Sequence, residues 1–221
     1  MAATAPSGYT IVSFKDVVKQ FGHFAALRGV TAEFSAGKLY AILGDNGAGK
    51  TTFLRVLAGL SRPTRGVLSV LGTSDLKSIS RDIGYMAHPS LLYDELSAME
   101  NLRYFGALYG TSQAEKCASI IREVGLDPAL SRPIGHYSQG MRQRLSLARA
   151  LIHDPTILLL DEPFSNVDVR SAREIAGLLG GLRDSGKTLF VVTHQSDLLE
   201  RIADEKILIG GGKIVTREER P

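Results

Sequence analysis

The sequence has a single cysteine, Cys117, in 221 residues. A lone cysteine cannot form a disulfide within the chain, which excludes an internally cross-linked secreted fold and favours a reducing compartment. Because Cys117 lies in a helical pattern, we expect a small buried apolar residue and not a catalytic thiol.

Long hydrophobic runs are also missing. Apolar runs such as Ile157–Leu160 are far shorter than the roughly 20 residues that a membrane-spanning helix needs. Residues 1–7 have neither the basic region nor the apolar region of a signal peptide. We therefore expect a soluble protein whose role at a membrane, if it has one, depends on a partner. We also expect residues 1–8 to form a flexible tail.

The chain has only a small excess of charge of one sign. The chain has 26 Lys and Arg against 23 Asp and Glu, a net charge of +3. This excess is too small to indicate nucleic-acid binding, and the basic residues are spread along the chain. Hydrophobic residues make up 44% of the sequence and charged residues 22%, which is typical of one globular domain, or of a core domain with a smaller lobe.

Strand-like and helix-like segments alternate along the chain. The predicted strands are 11–18, 30–34, 39–43, 67–71, 83–86, 156–160, 188–193 and a hairpin of 206–209 with 213–216. The predicted helices are 50–59, one starting at the capping box Ser97–Glu100, 112–124, 138–152, 169–183 and 197–203. This alternation predicts an α/β fold with a mainly parallel sheet, into which the helical block is inserted.

One glycine-rich segment matches the phosphate-binding pattern G-x-x-x-x-G-K-[ST] in full. It follows a short apolar strand and opens a helix, which is the context that the pattern requires. Glycines let the backbone N–H groups wrap around phosphate oxygens, and the helix N-terminus attracts their charge. Lys50 would bind the β and γ phosphates, and Thr51 would supply a hydroxyl ligand to Mg²⁺. The motif alone predicts binding of nucleotide phosphates, by Gly44, Asp45, Asn46, Gly47, Ala48, Gly49, Lys50, Thr51 and Thr52.

Two acids end the apolar strand near residue 160. Ligands of open α/β sheets lie at the carboxyl ends of strands, so Asp161 would emerge beside the phosphate loop and hold Mg²⁺. Glu162 points elsewhere and could act as the general base that polarises the attacking water.

A third motif gives a specific resemblance. The run Tyr137-Ser138-Gln139-Gly140-Met141-Arg142-Gln143-Arg144 is similar to the Leu-Ser-Gly-Gly-Gln signature of ATP-binding-cassette ATPases, and the likeness covers nearly the whole chain. Ser138 and Gly140 match that signature, whereas Gln139 and Met141 depart from it. The resemblance implies that Ser138 and Gly140 close over ATP held by a second cassette, in a head-to-tail pair. It also implies a phosphate-loop ATPase core with an N-terminal antiparallel β portion and an inserted α-helical subdomain.

The same resemblance assigns further roles. His194 would contact the γ-phosphate and help to align Glu162 with the water, and Phe21 would stack on adenine. The segment Ser165–Asp168 resembles the loop that crosses the pair's interface. Where the family commonly has a glutamine that reaches Mg²⁺ and senses the membrane partner, this chain has His88, a shorter side chain that titrates near neutrality.

The resemblance further predicts one cassette domain at 9–221, with a core of 9–86 and 155–221 and a helical subdomain at about 87–154. The stretch 88–110 is similar to ATPases of bacterial export systems, most of all to those of the haem exporter of cytochrome c biogenesis. An integral membrane subunit would dock a short helix near His88–Leu102, with the ATPase on the cytoplasmic face of the cell membrane. The alternatives are an ATPase of multidrug, lipid or polysaccharide export, a cassette ATPase acting on DNA or ribosomes, a regulatory module without hydrolysis, and a phosphate-loop kinase.

Overall fold

The computed structural model describes residues 8–88 and 90–220. The tail expected at 1–8 therefore lies, apart from Gly8, outside the described residues. None of the helices in the described part of the chain has both the length and the apolar content needed to span a bilayer.

An antiparallel sheet forms the N-terminal part of the molecule. It contains β1 (Thr10–Phe21), β2 (Phe24–Ser35) and β4 (Arg65–Val70) in the order β2-β1-β4. The first two strands are longer than the sequence predicts, because their ladder runs to the pair Phe21 and Phe24 at the hairpin. The stretch that looks like a turn before residue 30 is thus strand, since cross-strand pairing overrides its weak local preference.

A six-stranded sheet forms the centre. Its strands are β3 (Leu39–Leu43), β5 (Ile83–Met86), β6 (Ile157–Asp161), β7 (Thr188–Val192), β8 (Glu205–Gly210) and β9 (Lys213–Glu219). The order is β5-β6-β7-β3-β8-β9, parallel except for the antiparallel edge strand β9.

The central strands are buried on both faces. Leu158, Leu160 and Val191 belong to one apolar cluster, whereas Leu159 and Phe190 belong to the other. This alternation is what a parallel sheet covered on both sides requires. The expected α/β architecture is confirmed.

The helices are α1 (Lys50–Leu57), α2 (Ala98–Ala107), α3 (Ala114–Glu123), α4 (Gln139–Leu151) and α5 (Val169–Asp184). The predicted capping box is present at α2: the Ser97 hydroxyl accepts from the N–H of Glu100, whose carboxylate accepts from the N–H of Ser97. Cys117 is buried in α3, as expected from its pattern.

One predicted helix is wrong. Residues 197–203 were expected to be helical, but only a 3-10 turn, Ser196–Leu198, and isolated turns follow β7. The carboxylate of Asp204 accepts a hydrogen bond of 2.8 Å from the N–H of Leu39. This contact fixes the start of β8 against β3, so tertiary contacts and not helical propensity set the path of the chain there.

Candidate functional site

The phosphate loop connects β3 to α1. Gly44, Gly47 and Gly49 have φ values of 141°, 79° and 110°, a region that side chains rarely adopt. A Cβ at Gly44 would overlap the carbonyl oxygen of Ile209. A Cβ at Gly49 would lie 2.5 Å from the carbonyl oxygen of Ala26. Glycine at these two positions is therefore required by packing as well as by conformation.

Lys50 lies at the centre of this loop. It is 7% exposed, and its Nζ donates hydrogen bonds to the carbonyl oxygens of Gly44 at 2.6 Å and Asp45 at 2.9 Å. The cation is thus held inside a ring of backbone groups at the N-terminus of α1, where phosphate charge is favoured.

Asp161 ends β6 directly beside α1. The hydroxyl of Thr51 donates a hydrogen bond of 3.2 Å to Asp161 Oδ1, and Asp161 is 2% exposed. Burial raises the pKa of the Asp161 carboxyl, opposed by that hydrogen bond and by the positive charge of residues including His88 and Lys50.

These two side chains fit a magnesium ion. No cluster of three or more His, Cys, Asp or Glu suited to a metal occurs in the described residues. Mg²⁺ instead takes one or two protein carboxylates together with substrate phosphates, and prefers oxygen donors. The buried Asp161 carboxylate and the Thr51 hydroxyl, placed next to the phosphate loop, supply that donor set.

Glu162 and His194 meet although they are distant in sequence. Glu162 has φ 54°, a rare value for a residue with a side chain, and its N–H donates to the carbonyl of Val192 at 2.9 Å. His194 Nε2 lies 3.2 Å from Glu162 Oε1, and the N–H of His194 donates to Oε2 at 3.4 Å. Burial raises the pKa of Glu162, and His194 opposes that shift.

One oxygen of Glu162 is left without a hydrogen bond. Oε1 is buried and, among the described residues, has no partner with hydrogen-bond geometry, despite the nearby imidazole. A buried carboxylate oxygen without a donor is rare and is often associated with function. Glu162 lines the same cavity as Lys50 and Thr51, so its carboxylate group lies next to the position that phosphate would occupy.

The cavity has a volume of about 1430 Å³ and brings together much of the predicted site. Its lining includes both acids and, from the phosphate loop, Asn46, Gly47, Gly49, Lys50, Thr51 and Thr52, together with His88, Ser165, Asn166 and His194. Gly44, Asp45 and Ala48 are not part of the lining. The hairpin between β1 and β2 contributes Phe24 to the lining, and this ring is 57% exposed. Phe21 is 54% exposed at the same hairpin, with Lys19 Nζ 4.8 Å from its ring centre, so adenine stacking on Phe21 stays a prediction.

Ser138 and Gly140 lie elsewhere. Ser138 is the N-cap of α4, where its hydroxyl accepts from the N–H of Met141 at 3.3 Å. A Cβ at Gly140 would lie 2.8 Å from the Ser171 hydroxyl, so a larger residue would require the Ser171 side chain to shift. Neither residue lines the phosphate cavity of its own chain. Their predicted contact with ATP therefore requires a second chain.

The cavity extends into a groove between the core and the helical subdomain. Its apolar lining includes Leu60, Leu91 and Leu108, which are 59%, 56% and 66% exposed. Arg55 and Arg149 line it as well, and Arg149 lies over the ring of Phe105 at 5.2 Å. The sequence predicts docking near 88–102, and of these residues only Leu91 lies there. Exposed leucines such as Leu60 and Leu108 have no signal in the sequence, because an apolar side chain predicts burial.

His88 is exposed and lines the cavity beside Asp161. We expect His88→Gln, which restores the family's common residue, to raise kcat while leaving ATP affinity within about twofold, because the longer amide side chain brings an oxygen donor to the magnesium position beside Asp161.

Steady-state ATPase measurements check this expectation, with His136→Gln as the control, since His136 is also exposed but is not part of the cavity lining. An unchanged kcat would show that His88 takes no part in the reaction.

A family model described as ABC transporter matches residues 27–165. The chain is 36% identical over 199 residues to ABC transporter ATP-binding protein NatA of Bacillus subtilis (strain 168), which covers 87% of this chain and 81% of NatA. It is 38% identical over 215 residues to the probable multidrug ABC transporter ATP-binding protein YbhF of Escherichia coli (strain K12), covering 94% of this chain and 37% of YbhF. Among solved structures, a dimeric post-hydrolysis ATP-binding cassette, MJ0796 bound to ADP and Pi, matches with a TM-score of 0.86 and 27% identity, over 95% of this chain and 99% of that one.

Proposed function

The chain belongs to the ABC transporter family, and from that premise we propose that two cassettes, joined head to tail around ATP, drive export through a separate membrane subunit. It is the ATP-binding subunit of an ABC transporter, and it couples ATP hydrolysis to transport. The observation that carries the proposed mechanism is that Glu162 lines the phosphate cavity and has a carboxylate oxygen without a hydrogen-bond donor.

The hydrolytic roles follow from the positions of the side chains. Lys50 exchanges the carbonyl oxygens of Gly44 and Asp45 for phosphate oxygens, which bind an ammonium more strongly. Glu162 accepts the proton of the attacking water, and His194 keeps that carboxylate oriented. Thr51 and Asp161 would hold Mg²⁺, which neutralises phosphate charge when bound.

Pairing is proposed because one chain holds two half-sites that do not meet. The N-terminus of α4 presents backbone N–H groups and the Ser138 hydroxyl, a combination that binds anions. These groups are absent from the lining of the chain's own phosphate cavity, which supports their binding to the ATP of another cassette.

The groove is the proposed docking site of the membrane subunit. It is lined by exposed leucines and two arginines, and its only acids in the described lining are those at the phosphate end. An apolar helix with a carboxylate suits that lining. Docking there would place the ATPase at the cytoplasmic face of the cell membrane.

A substitution in the groove tests docking. We expect Leu108→Glu to lower co-purification of the membrane subunit at least tenfold. Docking removes water from the groove, and the substitution replaces an exposed apolar side chain there by a charge that would have to be desolvated. ATP binding by the isolated chain should not change. Val215→Glu is the matched control, since Val215 is 59% exposed on β9 and does not belong to the groove lining. Equal recovery of the membrane subunit with both variants would contradict docking at the groove.

We make a broad and a narrow proposal for what the transporter carries. Export is the broader proposal, supported by the similarity of residues 88–110 to exporter ATPases and by the multidrug transporter relative. Haem export for cytochrome c biogenesis is the narrower one, supported by the sequence resemblance alone. Cells carrying only a hydrolysis-deficient chain should then lose c-type cytochromes, which haem staining of membrane proteins would measure. Normal cytochromes with a new drug sensitivity would favour the multidrug alternative.

A further inference from the structure

We propose that Asp94 and Arg142 form a positioning pair that makes the segment Tyr93–Ser97 and the N-terminus of α4 move as one unit. The pair would transmit occupancy of the groove to Ser138. The transmission rests on the docking and pairing proposed above, whereas the mechanical link between the two segments does not.

The Arg142 guanidinium contacts two segments of the chain. Arg142 Nη2 donates to Asp94 Oδ1 at 2.7 Å, and Nη1 donates to the carbonyl of Ile134 at 3.3 Å. One guanidinium thus holds two separate segments at once, which its planar arrangement of donors allows. Arg142 lies one turn after Ser138, and its N–H donates to the Ser138 carbonyl at 3.0 Å. Any displacement of Asp94 is therefore applied to the first turn of α4.

Two backbone hydrogen bonds join the same segments. The N–H of Gly135 donates to the carbonyl of Asp94 at 2.9 Å, and the N–H of Ile134 donates to that of Leu96 at 2.9 Å. The short 3-10 helix Ile134–His136 leads through Tyr137 into Ser138. The Asp94–Arg142 pair is thus the side-chain part of a three-point attachment.

Asn101 holds the segment from its other side. It is fully buried, and the two hydrogens of its amide are shared among the carbonyls of Tyr93, Leu96 and Ser97, whose oxygens lie 3.1, 3.3 and 3.0 Å from Nδ2. Its Oδ1 accepts from the N–H of Tyr93 at 2.9 Å. With its backbone groups satisfied in this way, the segment moves with α2 as a rigid piece.

The segment also reaches the groove. Tyr93 packs against Tyr104 and Phe105 of α2, with ring centres 5.0 and 5.9 Å apart, and Phe105 lines the groove. The residue that follows Tyr93 is Asp94. A partner that shifts these rings therefore shifts the carboxylate bound to Arg142.

Helix stability alone does not account for the pair. A cation in the first turn of a helix opposes the helix dipole, and the first turn of α4 contains no acid of its own. Exposed ion pairs contribute little to the stability of a fold, and the Asp94 side chain is 54% exposed. The arrangement is better explained by the position in which it holds α4.

A matched pair elsewhere provides the control. Lys187 Nζ lies 2.6 Å from Asp154 Oδ1, with side-chain exposures of 18% and 65%, against 21% for Arg142 and 54% for Asp94. The two pairs are alike in length and exposure. The control pair joins the residues before β6 and β7 and contacts neither the groove segment nor Ser138.

The test compares Asp94→Asn, Arg142→Gln and the double variant with Asp154→Asn in the full chain. We expect each single substitution at the pair to lower kcat about fivefold while leaving ATP affinity within about twofold of that of the unmodified chain. The kcat of the double variant should be no lower than that of the single variants. Deuterium exchange of the nucleotide-free chain should quicken at the amides of 138–142 in both single variants. Asp154→Asn should change neither quantity.

Multiplicative losses in the double variant, or exchange at 138–142 equal to that of Asp154→Asn, would overturn the positioning role. The exchange experiment needs no turnover. Absence of ATPase activity in the unmodified chain would therefore count against the proposed function alone, and the exchange rates would still decide the inference.

Discussion

Glu162→Gln should bind ATP and fail to hydrolyse it. General-base catalysis contributes about 10²–10⁴-fold, so kcat should fall by that factor. The substitution keeps the size of the side chain and the carbonyl oxygen that accepts from the N–H of His194, and removes only the basic oxygen that lacks a donor. Because ATP stays intact, the closed pair should accumulate, which gel filtration with Mg²⁺ and ATP would detect as a dimer.

The control for Glu162→Gln is Glu200→Gln, which removes an exposed carboxylate paired with Lys206 at 3.5 Å. Both proteins should have the same thermal unfolding midpoint within a few degrees. Turnover by Glu162→Gln at the rate of the control would show that another group activates the water, and that the unpaired oxygen has no catalytic role.

Lys50→Ala should weaken binding of ATP itself. A hydrogen bond to a charged group contributes about 1.5–3 kcal/mol, so we expect the Kd to rise by roughly 10–100-fold. The affinity for ADP should fall less than the affinity for ATP, because ADP presents fewer phosphate charges to the ammonium group. Isothermal titration with both nucleotides measures these changes.

The Lys50 experiment needs a check on folding, because Lys50 is buried and donates to two loop carbonyls. Lys50→Arg keeps the positive charge, so it should retain the fold and recover part of the affinity. Lys206→Ala, which removes a lysine paired at the surface, serves as the matched control. Unaltered ATP affinity in a folded Lys50→Ala protein would exclude Lys50 from the phosphate site.

The local elements of the site follow closely from sequence patterns. The strand predicted at 39–43 and that at 83–86 match β3 and β5 at both ends, and α1 begins at Lys50 as the phosphate-loop pattern requires. These patterns are informative because they depend on interactions within a few residues. Backbone N–H groups at a helix start and glycines with positive φ impose their own conformation.

Contacts between distant segments cannot be predicted from such local patterns. The role predicted for His194 came from a resemblance, and only the fold shows its ring 3.2 Å from Glu162, a residue 32 positions away. The position of Phe24 in the cavity and the Asp94–Arg142 pair left no sequence signal, since neither forms a local pattern. The helix expected at 197–203 failed for the same reason, because a contact from Asp204 to Leu39 sets the chain's path.

By itself the sequence determined that the chain has a phosphate loop, an apolar strand ending in two acids, and a serine-capped helix between them. Those features are local, and residue identity at fixed spacing suffices to produce them. Tertiary structure alone decided which side chains share one cavity, and that Ser138 lies outside it. It could do so because the packing of β6 and β7 side by side brings their ends together, whereas the helical subdomain carries the serine to a different face.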